Sequence, residues 1–181
     1  MELEDKTIIV TGASSGIGAA AAKLFASEGV NVVLGARRGA ELEAIAAAIN
    51  KTDGRAVFLA GDVRDEGYAG ALVDLATKTF GGLDGAFNNA GIVGEMQPVP
   101  DMAIGNWTDV ISVNLTAAFL AAKAQIPAMR ARGRGSIVFT SSFVGFSNGG
   151  MPGMGAYAAS KAGLIGFARS LASDHAAEGI R

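Results

Sequence analysis

The sequence predicts a doubly wound parallel α/β sheet with helices on both faces. Three observations point there. Short β-branched apolar runs alternate with Ala-rich helical stretches. The first run passes through a glycine-rich turn directly into a helix. The early strands read as unbroken apolar runs, as strands covered on both faces do. With 181 residues, 50% of them hydrophobic, and a mean hydropathy of +0.34, the chain can bury a sizeable core and reads as one domain over residues 1–181. A net charge of −2 and a sequence pI near 5.4 argue against nucleic acid as a partner, because phosphate-backbone binding needs a basic face. With no cysteine there is no disulfide framework, thiol nucleophile or Cys-based metal site. The acidic start Met1-Glu2-Leu3-Glu4-Asp5 runs into a strand, unlike a signal or transit peptide, and no uninterrupted apolar run is long enough to span a bilayer. The expectation is a cytoplasmic protein with no membrane partner.

Residues 6–10 form the first strand, followed by Thr11-Gly12-Ala13-Ser14-Ser15-Gly16-Ile17-Gly18 and a helix over 19–27. Gly12 suits a tight turn, Gly16 a close approach to a pyrophosphate, and Gly18 close packing of helix on strand, with the helix N-terminus facing the anion. A ligand-free glycine turn is the alternative. Gly29 ends the helix and 30–34 is a second strand, completing a β-α-β unit of about thirty residues. The next residues decide the cofactor. An NAD site wants a carboxylate here for the ribose 2′-OH, whereas this chain has Gly35-Ala36-Arg37-Arg38. Arg binds a 2′-phosphate bidentately, so NADP is favoured over NAD; a solvated basic loop is the alternative.

A helix over 41–50, a turn at Lys51-Thr52-Asp53-Gly54 and a third strand over 55–60 lead to Gly61-Asp62-Val63. Asp62 suits an acceptor for the adenine amino group or a turn cap. The helix over 66–80 carries Tyr68, Leu72 and Ala76 on one stripe, which reads Tyr68 as packing, and Gly81-Gly82 stops it. The fourth strand, 84–87, runs into Asn88-Asn89-Ala90-Gly91, two amides where cofactor and backbone would meet, or an Asx turn. Residues 92–101, with Pro98 and Pro100, border the expected substrate mouth.

A long helix over 106–129 sets Asn114 among apolar residues, so its amide must bond neighbouring backbone or an ordered water. Pro127 is expected to kink or end it. The fifth strand, 136–140, ends in Ser141 and Ser142, and a hydroxyl there can donate to a carbonyl oxygen as charge develops. Met151 and Met154 suit an apolar pocket or plain packing. The last helix, 156–178, opens on Ala156-Tyr157-Ala158-Ala159-Ser160-Lys161. Tyr157 and Lys161 are four apart and share one helix face. A fixed positive charge about 4 Å from a phenol favours the phenolate by on the order of 4 kcal/mol at an effective dielectric near 20. His175, the only histidine, sits in the last turn, where it complements the helix dipole.

Taken together, Thr11 to Gly18, Asp62-Val63, Asn88-Asn89-Ala90-Gly91, Asn114, Ser142 and Tyr157-x-x-x-Lys161 closely resemble the short-chain dehydrogenase/reductase family in its compact branch. The resemblance covers essentially the whole chain and implies a Rossmann-type fold. It further implies an oxidoreductase that moves a hydride between NADP(H) and a carbonyl or secondary alcohol without a metal. Tyr157 would be the acid/base, Lys161 would activate it and bind the nicotinamide ribose, Ser142 would polarise the carbonyl, and Asn114 would position a water in a relay to Lys161. Cofactor contacts would come from Gly12, Ser14, Ser15, Gly16, Ile17, Gly18, Arg37, Arg38, Asp62, Val63, Asn89, Ala90 and Gly91 together with Tyr157 and Lys161. A homo-oligomer, tetramer or dimer, is implied. The loop between Ser142 and Tyr157 is slightly longer than is usual in the family, which leaves Ser141 and Ser142 both open as the polarising hydroxyl. Relatives normally continue past residue 181 into another strand, a substrate loop and a last strand, so the chain is expected to be a piece of a longer protein with the fifth strand's edge uncovered. Two other functions stay in view: a non-catalytic NADP-binding or interaction protein, and an epimerase or dehydratase relative.

Overall fold

The computed structural model describes residues 3–147 and 151–181. Five parallel strands lie in the order β3-β2-β1-β4-β5: β1 Thr7–Thr11, β2 Asn31–Ala36, β3 Arg55–Ala60, β4 Gly85–Asn88 and β5 Ser136–Phe139. Helices α1 Gly16–Ser27, α2 Gly39–Asn50, α3 Glu66–Phe80, α4 Ile104–Ile111, α5 Ala117–Ala131 and α6 Gly155–His175 alternate with them. The chain order reverses direction between β1 and β4, and in such sheets the crevice at that switch point is where ligands bind.

Every residue of β1 and β2 is buried because both sheet faces are covered. Ile8, Val10, Val32 and Leu34 point to one face and pack with Ala22 of α1 and with Leu42, Ala46 and Ile49 of α2. Ile9 and Val33 point to the other, against Leu72 and Ala76 of α3 and Ala122, Ile126 and Met129 of α5. The period-two side-chain alternation of a strand thus feeds two cores, and the central positions Ile8 to Val10 and Val32 to Leu34 are all apolar.

Punctuation fixes several boundaries. The Asp65 side chain caps α3 by accepting from the Gly67 N–H at 2.8 Å, and Gly81 ends it in the left-handed region at φ 81°. Of the two outcomes expected at Pro127, a kink or an end, the helix does not end there and runs on to Ala131. Lys123, whose carbonyl loses its helical donor, and Pro127 both lie on the exposed face, so water can serve that carbonyl. Residues Ile104–Ala131 form one continuous helix, long enough and, over an 18-residue window of mean hydropathy 1.3, apolar enough to cross a membrane by length and composition alone; Asp109, Asn114 and Lys123 interrupt its apolar residues. In the fold this helix is two-faced. Ala118, Ala122, Ile126 and Met129 are buried, whereas Lys123, Pro127 and Arg130 are exposed.

β5's outer edge is covered at its start. Ile180 bridges Gly135 in parallel, and the Ile137 N–H donates to the Arg181 carbonyl at 2.8 Å. Farther along, Val138 is exposed.

Candidate active site

The cofactor end is built around the turn after β1. Gly12 and Gly16 take φ of 66° and 56°, which only glycine adopts freely. A Cβ on Gly18 would lie 2.3 Å from the Gly12 carbonyl oxygen, so this glycine permits α1 to close on the strand. A Cβ on Gly16 would meet nothing within 4 Å, which leaves that side open to a ligand. Ser15, the N-cap of α1, makes no side-chain cap bond and the first turn holds no acid. By helix geometry the N–H groups of residues 16–18 stay free, an anion-binding arrangement.

That turn opens into a cleft of about 530 Å³. Gly12, Ser14, Ser15, Arg37 and Arg38 line it, together with Asp62, Val63, Asn89, Ala90 and Gly91. The side chain of Ile17 is exposed and, with Gly16 and Gly18, does not line the cleft. The two arginines differ. Arg38 donates to Ser14 Oγ at 3.0 Å and Ser15 Oγ at 2.6 Å, and pairs with Glu41, so it holds the glycine-rich turn. Arg37 is exposed on the cleft wall.

Asp62 behaves mainly as a turn acceptor. It accepts from the Arg64 backbone N–H at 3.0 Å and from the Arg64 guanidinium at 2.7 Å, while Arg64 also reaches Asp109 at 3.1 Å. The side-chain hydrogen bond from Arg64 holds the Asp62 carboxyl below its ordinary value. Arg64 and Asp109, neither singled out in the sequence, line the cleft too.

Asn89 ties three strand ends together. Its Nδ2 donates to the Thr11 carbonyl at 3.2 Å, its Oδ1 accepts from Thr140 Oγ1 at 3.2 Å, and its backbone N–H donates to Thr11 Oγ1. Asn88 turns the other way and exchanges two amide hydrogen bonds with Gln125 of α5, at 2.9 and 3.0 Å. The only hint of Gln125 in the sequence is a polar residue in a buried helical stripe.

The reacting end gathers on α6. Lys161 Nζ lies 5.6 Å from the Tyr157 ring centroid and donates to the Thr140 carbonyl at 2.6 Å. The residue is buried, and burial pushes the ammonium below its ordinary value. Asn114 sits in a π turn, Ser112–Thr116, between α4 and α5. Its Nδ2 donates to the Ile92 carbonyl and to Ser160 Oγ, and its Oδ1 accepts from the Ile92 N–H, so it bonds neighbouring backbone. Ser160, a residue the sequence reading passed over, donates onward to the Tyr157 carbonyl at 2.7 Å. A Cβ on Gly91 would lie 3.2 Å from Asn114 Oδ1 and 3.4 Å from Lys161 Nζ, so the end of the β4 turn passes between them.

Ser141 Oγ donates to the Lys161 carbonyl at 3.0 Å, committing that hydroxyl to α6. Ser142 is half-buried on extended backbone and heads the short turn Phe143–Gly145. Met154 is buried and Met151 half-buried; residues 148–150 of the same loop lie outside the described residues. Tyr68 is buried in the core as expected, and His175 pairs with Glu178 at 3.2 Å.

A family model described as short chain dehydrogenase matches residues 6–181. The 2,5-dichloro-2,5-cyclohexadiene-1,4-diol dehydrogenase of Sphingobium indicum is 39% identical over 181 residues, covering 99% of this chain and 70% of its own length. The cyclohexanol dehydrogenase of Acinetobacter sp. is 36% identical over 180 residues, 99% of this chain and 71% of its own. The structure of an NAD⁺-bound xylitol dehydrogenase superposes with a TM-score of 0.94 at 34% identity, over 100% of this chain and 69% of that one.

Proposed function

The chain belongs to the short-chain dehydrogenase family, NAD(P)-dependent oxidoreductases of CH–OH groups, and from that premise we propose that it interconverts a six-membered alicyclic secondary alcohol and its ketone with NADP(H), residues 1–181 forming one dinucleotide-binding and catalytic domain. The observation that carries this reading is the meeting of Lys161 and Asn114 at Gly91, a residue that lines the cleft, with the Tyr157 ring 5.6 Å from Lys161 Nζ and Ser141 bonded to the Lys161 carbonyl.

The site suits a dinucleotide. The unfilled N–H groups at the start of α1 and the open side of Gly16 fit a pyrophosphate, and Arg37, after a β2 end that lacks any acid, fits a 2′-phosphate. When bound, NADP(H) supplies or accepts the hydride. Tyr157 Oη gives its proton to the carbonyl oxygen in reduction and takes it back in oxidation. Ser142 Oγ donates to the same oxygen as charge develops, since Ser141 is occupied by the Lys161 carbonyl. Lys161 spends one N–H on Thr140 and keeps two for the ribose and for a water, while its charge stabilises the developing phenolate. Asn114 holds the Ile92 backbone with both amide N–H groups engaged, and its Oδ1 keeps one lone pair for the water that refills Tyr157 through Lys161.

Two relatives that act, by name, on cyclohexanol and on a cyclohexadienediol support an alicyclic substrate. So do the exposed apolar side chains of Val93, Met96 and Val99 beside the site. The Gln97 N–H donates to the Gly153 carbonyl at 3.1 Å, which docks that segment on the loop leading to Tyr157. We assign the protein to the cytoplasm, where NADPH is at hand, acting as a homo-oligomer. Initial rates with cyclohexanone and NADPH, and with NADH in its place, test the reading. Turnover with a clear preference for NADPH is expected; turnover with NADH alone would overturn the cofactor assignment, and none with either would overturn the substrate.

A further inference from the structure

Tyr68 makes a contact that ordinary core packing does not require. Its ring fills the space that two glycines leave on one face of the sheet. A Cβ on Gly61 would lie 2.3 Å from both Tyr68 Cδ2 and Cε2, and a Cβ on Gly35 would lie 2.9 Å from Tyr68 Oη. Neither glycine adopts a positive φ, so backbone conformation does not demand them. What they share is one aromatic ring. The Tyr68 hydroxyl donates to the Leu59 carbonyl at 2.7 Å. The phenol is thus wedged where β2 and β3 end, one residue short of Arg37 and two short of Gly61.

From this geometry we infer that Tyr68 is a positioning residue for the adenosine end of the dinucleotide site, setting the separation of the Ala36-Arg37-Arg38 and Gly61-Asp62-Val63-Arg64 walls. This deepens the cofactor reading above and rests on it. Both segments line the cleft, at and just past the ends of β2 and β3. Beyond the Gly61 N–H to Ala36 carbonyl bond at 2.9 Å, the ladder between the two strands stops. The rigid ring, tied to the Leu59 carbonyl, takes over at that point. Burial pushes the phenol up to about 12, so at neutral pH the hydroxyl keeps its proton and acts as a donor. Tyr68 does not line the cleft and acts only through the segments it spaces.

The test compares Tyr68→Phe, which keeps the ring and deletes the donor, with Val73→Ala, a core truncation on the same helix. Dissociation constants for NADPH and NADH are measured by fluorescence titration at 25 °C, with kcat at saturating cofactor and Tm. Tyr68→Phe is expected to raise the Kd of the better-bound dinucleotide about 5- to 10-fold, in line with loss of one buried hydrogen bond, with kcat within twofold of the parent. Val73→Ala lowers Tm and leaves both Kd values alone. A Tyr68→Phe protein with unchanged Kd, or one whose kcat falls while Kd holds, overturns the inference. Gly61→Ala, whose methyl meets the ring, gives a second route to the same weakened binding should the tyrosine variant fold poorly. A parent protein that prefers NADH would refute the NADP reading and leave the Tyr68 comparison readable on NADH. A parent that binds neither dinucleotide would refute both.

Discussion

Lys161 Nζ is held at 2.6 Å by the backbone carbonyl of Thr140, with no carboxylate partner among the described residues. The carbonyl just past the end of β5, beside Ser141 and Ser142, therefore positions the ammonium beside the Tyr157 ring. A neutral acceptor aims the charge without cancelling it, and the cost is a buried cation.

That cost has a measurable sign. Replacing Lys161 with Met removes a buried charge, worth several kcal/mol, and leaves the Thr140 carbonyl without this donor, a loss of about 1–3 kcal/mol. The charge term wins, so Lys161→Met should fold with a Tm about 2–4 °C above the parent at pH 7, roughly 1 kcal/mol for a chain of this size, while losing turnover. Burial lowers the folded-state value of Lys161 from 10.5, so between that lowered value and 10.5 the unfolded chain binds more protons and parental stability rises with pH. The Tm advantage of Lys161→Met should be full at neutral pH and shrink toward pH 10; thermal melts in which it grows with pH would contradict the account.

Arg37 and Arg38 should separate cleanly. Arg37 lines the cleft without a role in the turn, so Arg37→Asp should lower the NADPH to NADH ratio of kcat/KM by 10-fold or more, about the worth of one charge-assisted hydrogen bond. Arg38 holds Ser14 and Ser15, so Arg38→Ala should weaken both cofactors alike. Paired kinetics with the two cofactors distinguish these outcomes, and a ratio unmoved by Arg37→Asp would remove Arg37 from the 2′-phosphate site.

The two serines make a further contrast. Ser142→Ala should reduce kcat about 10²-fold at unchanged cofactor affinity, the scale of one lost oxyanion donor. Ser141→Ala loses its bond to the Lys161 carbonyl and should lower Tm by a few degrees with a smaller effect on kcat. The reverse ranking in steady-state kinetics would exchange their roles.

Gly18→Ala would place a methyl 2.3 Å from the Gly12 carbonyl oxygen, and backbone cannot move aside as a flexible side chain can. The expected result is a loss of about 1–3 kcal/mol in denaturant melts together with weakened dinucleotide binding. Gly16→Ala, with open space around its Cβ but φ of 56°, should cost less stability and still weaken binding.

Where local chemistry sets an element, the sequence could be read to the residue. Strand Arg55–Ala60 lies between the Asp53-Gly54 turn and Gly61, and helix Glu66–Phe80 runs from the Asp65 cap to the left-handed Gly81. The glycine-rich turn, Asn89, Asn114, Tyr157 and Lys161 were visible because each residue type is scarce in its setting. What escaped depends on distant partners. Arg64, bonded to Asp62, also reaches Asp109, 45 residues away in sequence. The Asn88–Gln125 pair joins residues 37 apart, and no local pattern announces it. Pro127 shows the opposite case: a strong local rule does not end the helix where the freed carbonyl faces water.

The most direct measurement is single-turnover reduction of cyclohexanone by the Tyr157→Phe protein with NADPH already bound. The account predicts NADPH affinity within about threefold of the parent and a chemical step slowed by about 10²–10⁴-fold, the usual contribution of a positioned general acid. A Tyr157→Phe protein that turns over at close to the parental rate would show that the proton comes from another group, and the arrangement around Lys161 would need a different purpose.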